Sequence, residues 1–389
     1  MPRLLEVFLV FLRLGLTSFG GPVAHLGYFR REFVERRRWL SVEDYAAIVA
    51  LCQFLPGPAS SQVGMALGLM RAGMGGAVAA FVGFTAPSAI LMTGFAFGLA
   101  RLGDVSGAPW VHGLKLAAVA IVAQAVWSMA RSLTPDLPRA AFAAAAAAAV
   151  LLLPFGWTQL AVIALAGGAG AVLLPAQAGS RAPLVLPVPR AVSIAALAAF
   201  FALLFVLPAM APWSPALAVT DAFYRTGALV FGGGHVVLPL LQHAVADRGW
   251  VDRSTFLAGY GAAQAMPGPL FSFAAFLGAS LRTAPNGIAG AALALGAIYL
   301  PSFLLVFGAA PLWAAAQHHR VLRAAVTGVN AAVVGLLAAA LYTPVGTGAI
   351  GTLADGLIAL VLTGLLLWRN APPWTIVALA IALAYAVPR

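Results

Sequence analysis

"QFLPGPASSQ", residues 53–62, interrupts a long apolar run with two prolines around a glycine. Proline removes a backbone N–H and its ring clashes with the preceding turn, so the stretch predicts a helix that stops and restarts. The chain repeats the device as "QAMPGP" at 264–269. Around these breaks the composition is that of a bilayer solute: 62% of the 389 residues are hydrophobic and 8% are charged. Windows such as 74–100, 191–211, 287–313 and 324–342 carry no charge and are long enough to span a hydrocarbon core. The expected fold is an all-α polytopic membrane protein with broken helices.

The repetition extends well beyond the prolines. "FLRLGLTSFGG" at 11–21 matches "FYRTGALVFGG" at 223–233, identical at Phe, Arg, Gly, Phe, Gly and Gly. In the same order, Trp39 pairs with Trp250, Gln53 to Pro58 with Gln264 to Pro269, Arg71 with Arg282, and Pro87-Ser88 with Pro301-Ser302. Ordered self-similarity of this length marks two homologous halves. The expected organisation is an N-terminal repeat at 1–175, a connector at 176–211 with one extra transmembrane helix, and a C-terminal repeat at 212–389. A single additional crossing between the halves turns the second upside down, the inverted-repeat plan of many secondary transporters. Charge agrees. If the chain turns back at each FGG and PGP, most loop arginines fall on the cytoplasmic side, as the positive-inside rule asks, whereas full crossings scatter them outside.

The net charge of +11 does not imply nucleic acid, because the basic residues are spread over connections between apolar segments. The dense run "RREFVERRRW" at 30–39 reads as a helix near anionic headgroups. Cys52 is the one cysteine, which excludes a disulfide framework and a thiolate metal site. His318-His319 lacks a third ligand nearby, and no metal or other cofactor is expected. The N-terminal stretch carries Glu6 and Arg13 within its apolar run and no small-residue cleavage site, so it is expected to be retained. Ser41 in "SVED" and Asp252 in "VDRST" look like helix caps, and Trp39 and Trp250 like interfacial anchors. The alanine-rich run 140–149 and the segments 158–175 and 355–389 read as closely packed scaffold.

Each break has a chemical consequence. Gly20 and Gly21 permit backbone angles closed to other residues, and Pro22 suits the first position of a new helix. Pro56, Gly57 and Pro58 do the same ahead of Ser60. The second half supplies Gly232, Gly233 and Gly234, then Pro267, Gly268 and Pro269 followed by Ser272. A helix that starts at membrane depth presents unpaired N–H groups and a positive dipole end, which bind anions. Arg13 and Arg225 occupy the same repeat position within apolar helices and are read as oxyanion ligands, the alternative being snorkelling or pairing with a carboxylate such as Glu6 or Asp221. Gln53 and Gln264 either donate to substrate or cap broken backbone. Glu6, His25 and His235 are candidates for carrying a proton. The residues alone thus point to transport of a small dianion, with ion-gradient coupling favoured because no phosphate-cradling loop occurs. An oxyanion channel and an intramembrane lipid-phosphate enzyme stay open as alternatives.

The pattern "FLRLGLTSFGGPVAHLGYFRREFV…RRRWLSVEDY…QFLPGPASSQ", with "FGGGHVVLPLL", "GWVDRSTFLAGYGAAQAMPGP" and "LPSF" in the second half, resembles the chromate ion transporter family in its long two-domain form. The resemblance implies chromate efflux across a bacterial inner membrane, driven by the proton motive force and giving chromate resistance, and homologous domains of opposite orientation. Chromate is an isostere of sulfate, so sulfate and an uptake permease remain in view. The expected partners are a small oxyanion, protons and membrane lipids, with a homodimer among the admissible assemblies.

Overall fold

The computed structural model describes residues 3–102, 107–153, 158–175, 186–231, 237–308, 319–369 and 371–386. Helices account for nearly all of them, and no strand occurs among the described residues. Five helical segments among these residues are long and apolar enough to cross a membrane: Ala59–Arg101, Pro109–Leu133, Arg190–Trp213, Gly287–Gly308 and Arg320–Ala349. The chain is a multi-pass membrane protein. By packing it forms two compact units, each drawing segments from both sequence halves. One comprises Met1–Thr93, Ala178–Gly234 and Pro267–Arg323; the other comprises Gly94–Gln177, His235–Met266 and Ala324–Arg389.

In the first unit, α1 (Arg3–Thr17) stops short of Gly20 (φ 101°) and Gly21 (φ 76°), left-handed angles that admit glycine at little cost. Pro22 opens α2 (Gly21–Phe29), which continues as a π-helical stretch, Arg30–Arg36. Ser41 caps α3 (Val42–Phe54), accepting from the Asp44 N–H at 3.0 Å. Leu55 is extended, Gly57 has φ 120°, and α4 (Ala59–Arg101) begins past Pro58. The long apolar stretch of α4 is not one rod. Ala72 and Gly73 (φ 67°) leave helical geometry, and beyond them Gly68 lies against the Gly76 carbonyl and Ala80. Residues eight and twelve positions apart meet only if the chain doubles back, so α4 is a hairpin of two arms, joined through small residues just after Arg71.

The second half builds the same shape from the break at 267–269. There α12 (Phe273–Ala279), numbered with α5 to α11 given below, is followed by a turn and α13 (Gly287–Gly308), with Gly278 against Gly290 and Ala294. The apolar connector helix α8 (Arg190–Met210) and α9 (Pro215–Leu229) complete this unit, both packed on α13. The crossings repeat as well. A Cβ on Gly15 of α1 would stand 2.6 Å from the Phe84 carbonyl of α4, and one on Gly227 of α9 would collide with the Ile298 carbonyl of α13. An aromatic cluster locks the first-half elements together: Phe11 stacks on Phe33 at 5.0 Å, and Phe29 meets Phe84 edge-on at 5.2 Å.

The other unit is organised around α5 (Pro109–Leu133). Its buried Leu114, Ala117 and Ile121 pack with Ala262 of α11 (Arg253–Ala265), Leu362 of α15 (Leu353–Arg369) and Ala380 of α16 (Pro373–Ala386). His112 Nε2 and Asp355 Oδ1, 2.6 Å apart, tie α5 to the first turn of α15. The alanine-rich α6 (Leu137–Leu152) meets α14 (Arg320–Ala340) where Gly335 rests on the Ala143 carbonyl. Likewise α7 (Thr158–Leu173) meets α14 at Gly170 and Gly328, the close packing expected of small residues. The short α10 (Val237–Leu241) follows the second glycine run. Asp252 stands at the position before α11 without a capping hydrogen bond from its side chain, unlike Ser41, which corrects the expectation of matched caps.

Candidate functional site

Both proline breaks lie in the first unit, and each is closed by the other half. The Gly57 N–H donates to the Val230 carbonyl at 2.6 Å, and the Gly268 N–H donates to the Ser18 carbonyl at 2.9 Å. Val230 and Ser18 are repeat counterparts, each two residues before the first glycine of its own glycine run. The bonds are therefore reciprocal, as a two-fold relation between the copies requires. Gly57 and Gly268 both need positive φ, 120° and 94°, to turn their N–H groups this way. The swap continues in side chains. A Cβ on Gly57 would lie 2.8 Å from Ser302 Oγ, and one on Gly268 would lie 2.9 Å from Ser88 Oγ.

Two helix starts converge here. His25, in the first turn and a half of α2, places Nδ1 3.4 Å from Ser60 Oγ in the first turn of α4. The start of α2 has no side-chain cap, and the N–H groups of Ala59, Ser60 and Ser61 have no partner inside α4. Ser61 Oγ lies 3.5 Å from the Tyr299 hydroxyl. Gln62 Nε2 donates to the Pro56 carbonyl at 2.6 Å, which fastens the break to the helix it precedes. Ser18 Oγ, Gln62 Oε1 and Ser302 Oγ, together with His25 Nε2, are buried yet have no hydrogen-bond partner among the described residues. Buried polar atoms are normally paired, so open ones around the break mark a place built for a solute.

The arginines are held by carboxylates. Arg13 Nη2 donates to Glu32 Oε2 at 2.5 Å, with Arg37 Nε at 2.6 Å and Arg36 Nη1 at 3.3 Å on the same carboxylate. Burial pushes the Glu32 carboxyl up, but the guanidiniums of Arg37, Arg13 and Arg36 outweigh it and hold it below the ordinary carboxylate range. Glu6 accepts from Arg71 at 2.9 Å and from Arg37 at 3.3 Å, and Arg71 and Arg37 flank the Trp39 ring at 5.0 and 5.9 Å. Arg225 pairs with buried Asp221 one turn earlier on α9. The arginines thus adopt the carboxylate pairing left open above, Arg13 with Glu32, which lies inside the basic run at 30–39.

Other expected site residues separate. Gln53 is exposed at the end of α3, whereas Gln264 is buried on α11 in the other compact unit, beside the Tyr260 hydroxyl. Pro56, Pro58, Pro267 and Pro269 frame the two closing glycines. Gly20, Gly21 and Pro22 form the turn into α2. Gly232, Gly233, Gly234 and His235 lie outside the described residues. No cluster of metal-ligating side chains occurs among the described residues. Sequence reasoning passed over Ser18, Gln62, Tyr299 and Ser302; the repeated Pro-Ser pair was the one available signal, and it served only to align the halves.

The chromate transporter family profile matches the chain twice, over residues 5–173 and 217–385. A chromate transport protein of Pseudomonas aeruginosa is 30% identical over 389 residues, covering 97% of this chain and 91% of its own. One of Cupriavidus metallidurans is 28% identical over 371 residues, covering 93% and 87%. An uncharacterized transporter of Methanocaldococcus jannaschii is 24% identical over 396 residues, covering 99% and 95%. No solved structure matches. Two copies of one profile over nearly the whole chain, on a membrane fold whose breaks interlock, establish that this chain belongs to the chromate transporter family and is a transporter of the two-repeat form.

Proposed function

We propose that this chain exports chromate, or a tetrahedral oxyanion of the same shape and charge such as sulfate, across the inner membrane at the expense of the proton gradient, and so confers chromate resistance. The observation that carries the reading is the meeting of the α2 and α4 starts at His25 and Ser60, beside open buried polar atoms. Helix starts supply N–H donors and positive potential in place of the water lost by a dianion. The nearby carboxylates that would repel such a solute are neutralised: Glu6 and Glu32 by arginines, and Asp221 by Arg225.

In this scheme Gly20, Gly21, Pro22, Pro56, Gly57, Pro58 and Ser60 shape the cradle. Pro267, Gly268 and Pro269 close it from the other half. Arg13, with Arg36 and Arg37 on the same Glu32 carboxylate, holds positive field at its flank, and Arg225 cancels the buried Asp221 charge. His25, within reach of Ser60, is the proton carrier best placed to feel the substrate; Glu6 is engaged by two arginines. The reciprocal bonds at Gly57 and Gly268 support halves of opposite orientation, since a two-fold axis lying in the membrane plane inverts one copy.

Everted vesicles carrying the chain are expected to accumulate labelled chromate when energised, to lose that uptake with an uncoupler, and to show competition by sulfate or molybdate. Accumulation no greater than in vesicles lacking the chain discards the proposal. Accumulation that survives the uncoupler removes the proton coupling alone.

A further inference from the structure

The two breaks are alike in backbone and unlike in furniture. After Pro58 come Ala59, Ser60, Ser61 and Gln62; after Pro269 come Leu270, Phe271, Ser272 and Phe273. In repeat register, Ser60 is replaced by Phe271 and Gln62 by Phe273, and His25 by Val237. The serine hydroxyls on the second side are satisfied by their own helices. Ser272 Oγ donates to the Pro269 carbonyl at 2.8 Å, and Ser88 Oγ to the Thr85 carbonyl at 3.0 Å. On the first side, Ser302 Oγ and Gln62 Oε1 have no partner although both residues are wholly buried. The open hydroxyl nearest the second break's closing bond, Ser18, is itself supplied by the first half. Moreover the first break opens directly into the first α-helical arm of α4, whereas the second leads through one 3₁₀ turn into the short α12.

We infer that the chain holds one oxyanion site and not two, centred on the break at 56–58, with the Ser302 hydroxyl as a direct ligand and the break at 267–269 retained as its structural mate. Ser302 is lent by the second half, so the single site needs both copies. Its hydroxyl has a free hydrogen to give to an anionic oxygen. An oxyanion held by the α4 amides and a hydroxyl is bound through hydrogen donors, which selects a fully ionised tetrahedral anion over a neutral solute of equal size.

The inference rests on the oxyanion reading above, and the test separates the two. Chromate is titrated calorimetrically into the purified full-length protein in lipid nanodiscs. One chromate per chain is expected. Ser302→Ala is expected to weaken binding by roughly 10- to 100-fold, the loss of one hydrogen bond to a charged ligand, and Ser88→Ala by less than about 2-fold. Two chromates per chain, or equal losses from Ser302→Ala and Ser88→Ala, overturn the single-site inference and leave oxyanion transport standing. If Ser302→Ala unfolds in a melting scan, the wild-type stoichiometry still decides. A wild-type protein that takes up neither chromate, sulfate nor molybdate in the titration overturns both.

Discussion

Arg13 and Arg225 occupy the same place in the two repeats and are neutralised in different ways. Arg13 reaches across its glycine break to Glu32, a carboxylate that also receives Arg36 and Arg37. Arg225 pairs along its own helix with Asp221, a residue 2% exposed, and no other cation reaches that carboxylate among the described residues. In repeat register Glu6 is replaced by Ala218, and neither His243 nor Ala244, the residues opposite Glu32, is a carboxylate, so the second half could not keep the first half's arrangement. A deep guanidinium needs a counter-charge wherever it stands, but which residue supplies it is free to drift. The backbone devices did not drift, because positive φ at Gly57 and Gly268 and the close crossings at Gly15 and Gly227 admit no side chain.

That contrast makes Arg225→Ala the most damaging single change. It strands the buried Asp221 charge and is expected to lower stability by about 3 kcal/mol, the low end for breaking a buried pair because the guanidinium is partly exposed. Membrane abundance should fall with it. The double variant Asp221→Asn/Arg225→Gln should recover most of the abundance, as read by quantitative blotting of membranes; no recovery would show that Arg225 acts otherwise than through Asp221. Arg13→Ala leaves Glu32 two cations. It is expected to keep near-normal abundance and to lower chromate transport, the reverse partition.

Gly57→Ala comes next. A Cβ there would stand 2.5 Å from Gln62 Nε2 and 2.8 Å from Ser302 Oγ, on a backbone angle that costs a non-glycine residue about 1–2 kcal/mol. Transport is expected to drop at least about 10-fold with the fold intact, since Ser302 Oγ, one of the displaced groups, is the proposed ligand. Gly268→Ala meets Ser88 Oγ and the Phe84 carbonyl, at 2.9 and 3.2 Å, and should cost stability more than transport. Equal transport losses in vesicle uptake would erase the functional difference between the two breaks.

The breaks were legible in the sequence because glycine and proline act locally: "FGGP" and "PGP" name their own backbone angles. The two homologous halves were legible because identities recur in order. What a break touches was not. The bonds from Gly57 to Val230 and from Gly268 to Ser18 join residues far apart along the chain, and no local pattern announces them. Ser302 was passed over for a related reason. A serine in an apolar helix ordinarily returns its hydroxyl to a carbonyl of the preceding turn, as Ser88 does, and only the packing of Gly57 against it shows that Ser302 does not. Glu32 reads as a dilution of positive charge until α2 and its π-helical extension bring it back beside α1. Each compact unit takes segments from both halves, a pairing that repeats along the chain do not announce.

The smallest effect follows from the acid side of the same contrast. Glu32 is held below its ordinary range of about 4.3–4.5 by three guanidiniums. A carboxyl with a depressed folded-state value contributes stability that is complete above the ordinary value and is lost as pH falls through the depressed one. Lowering the pH from 6 toward 3 should therefore loosen the first-half break before the second, where no carboxylate stands in place of Glu32. Hydrogen exchange read on peptides from 21–36 should accelerate at a higher pH than on peptides from 215–229. Glu32→Gln should exchange faster at neutral pH and show less further change on acidification. If both regions loosen together, and the variant tracks the wild type, the arginine cluster around Glu32 contributes nothing to holding α2 in place, and the difference between the halves at this position is one of composition only.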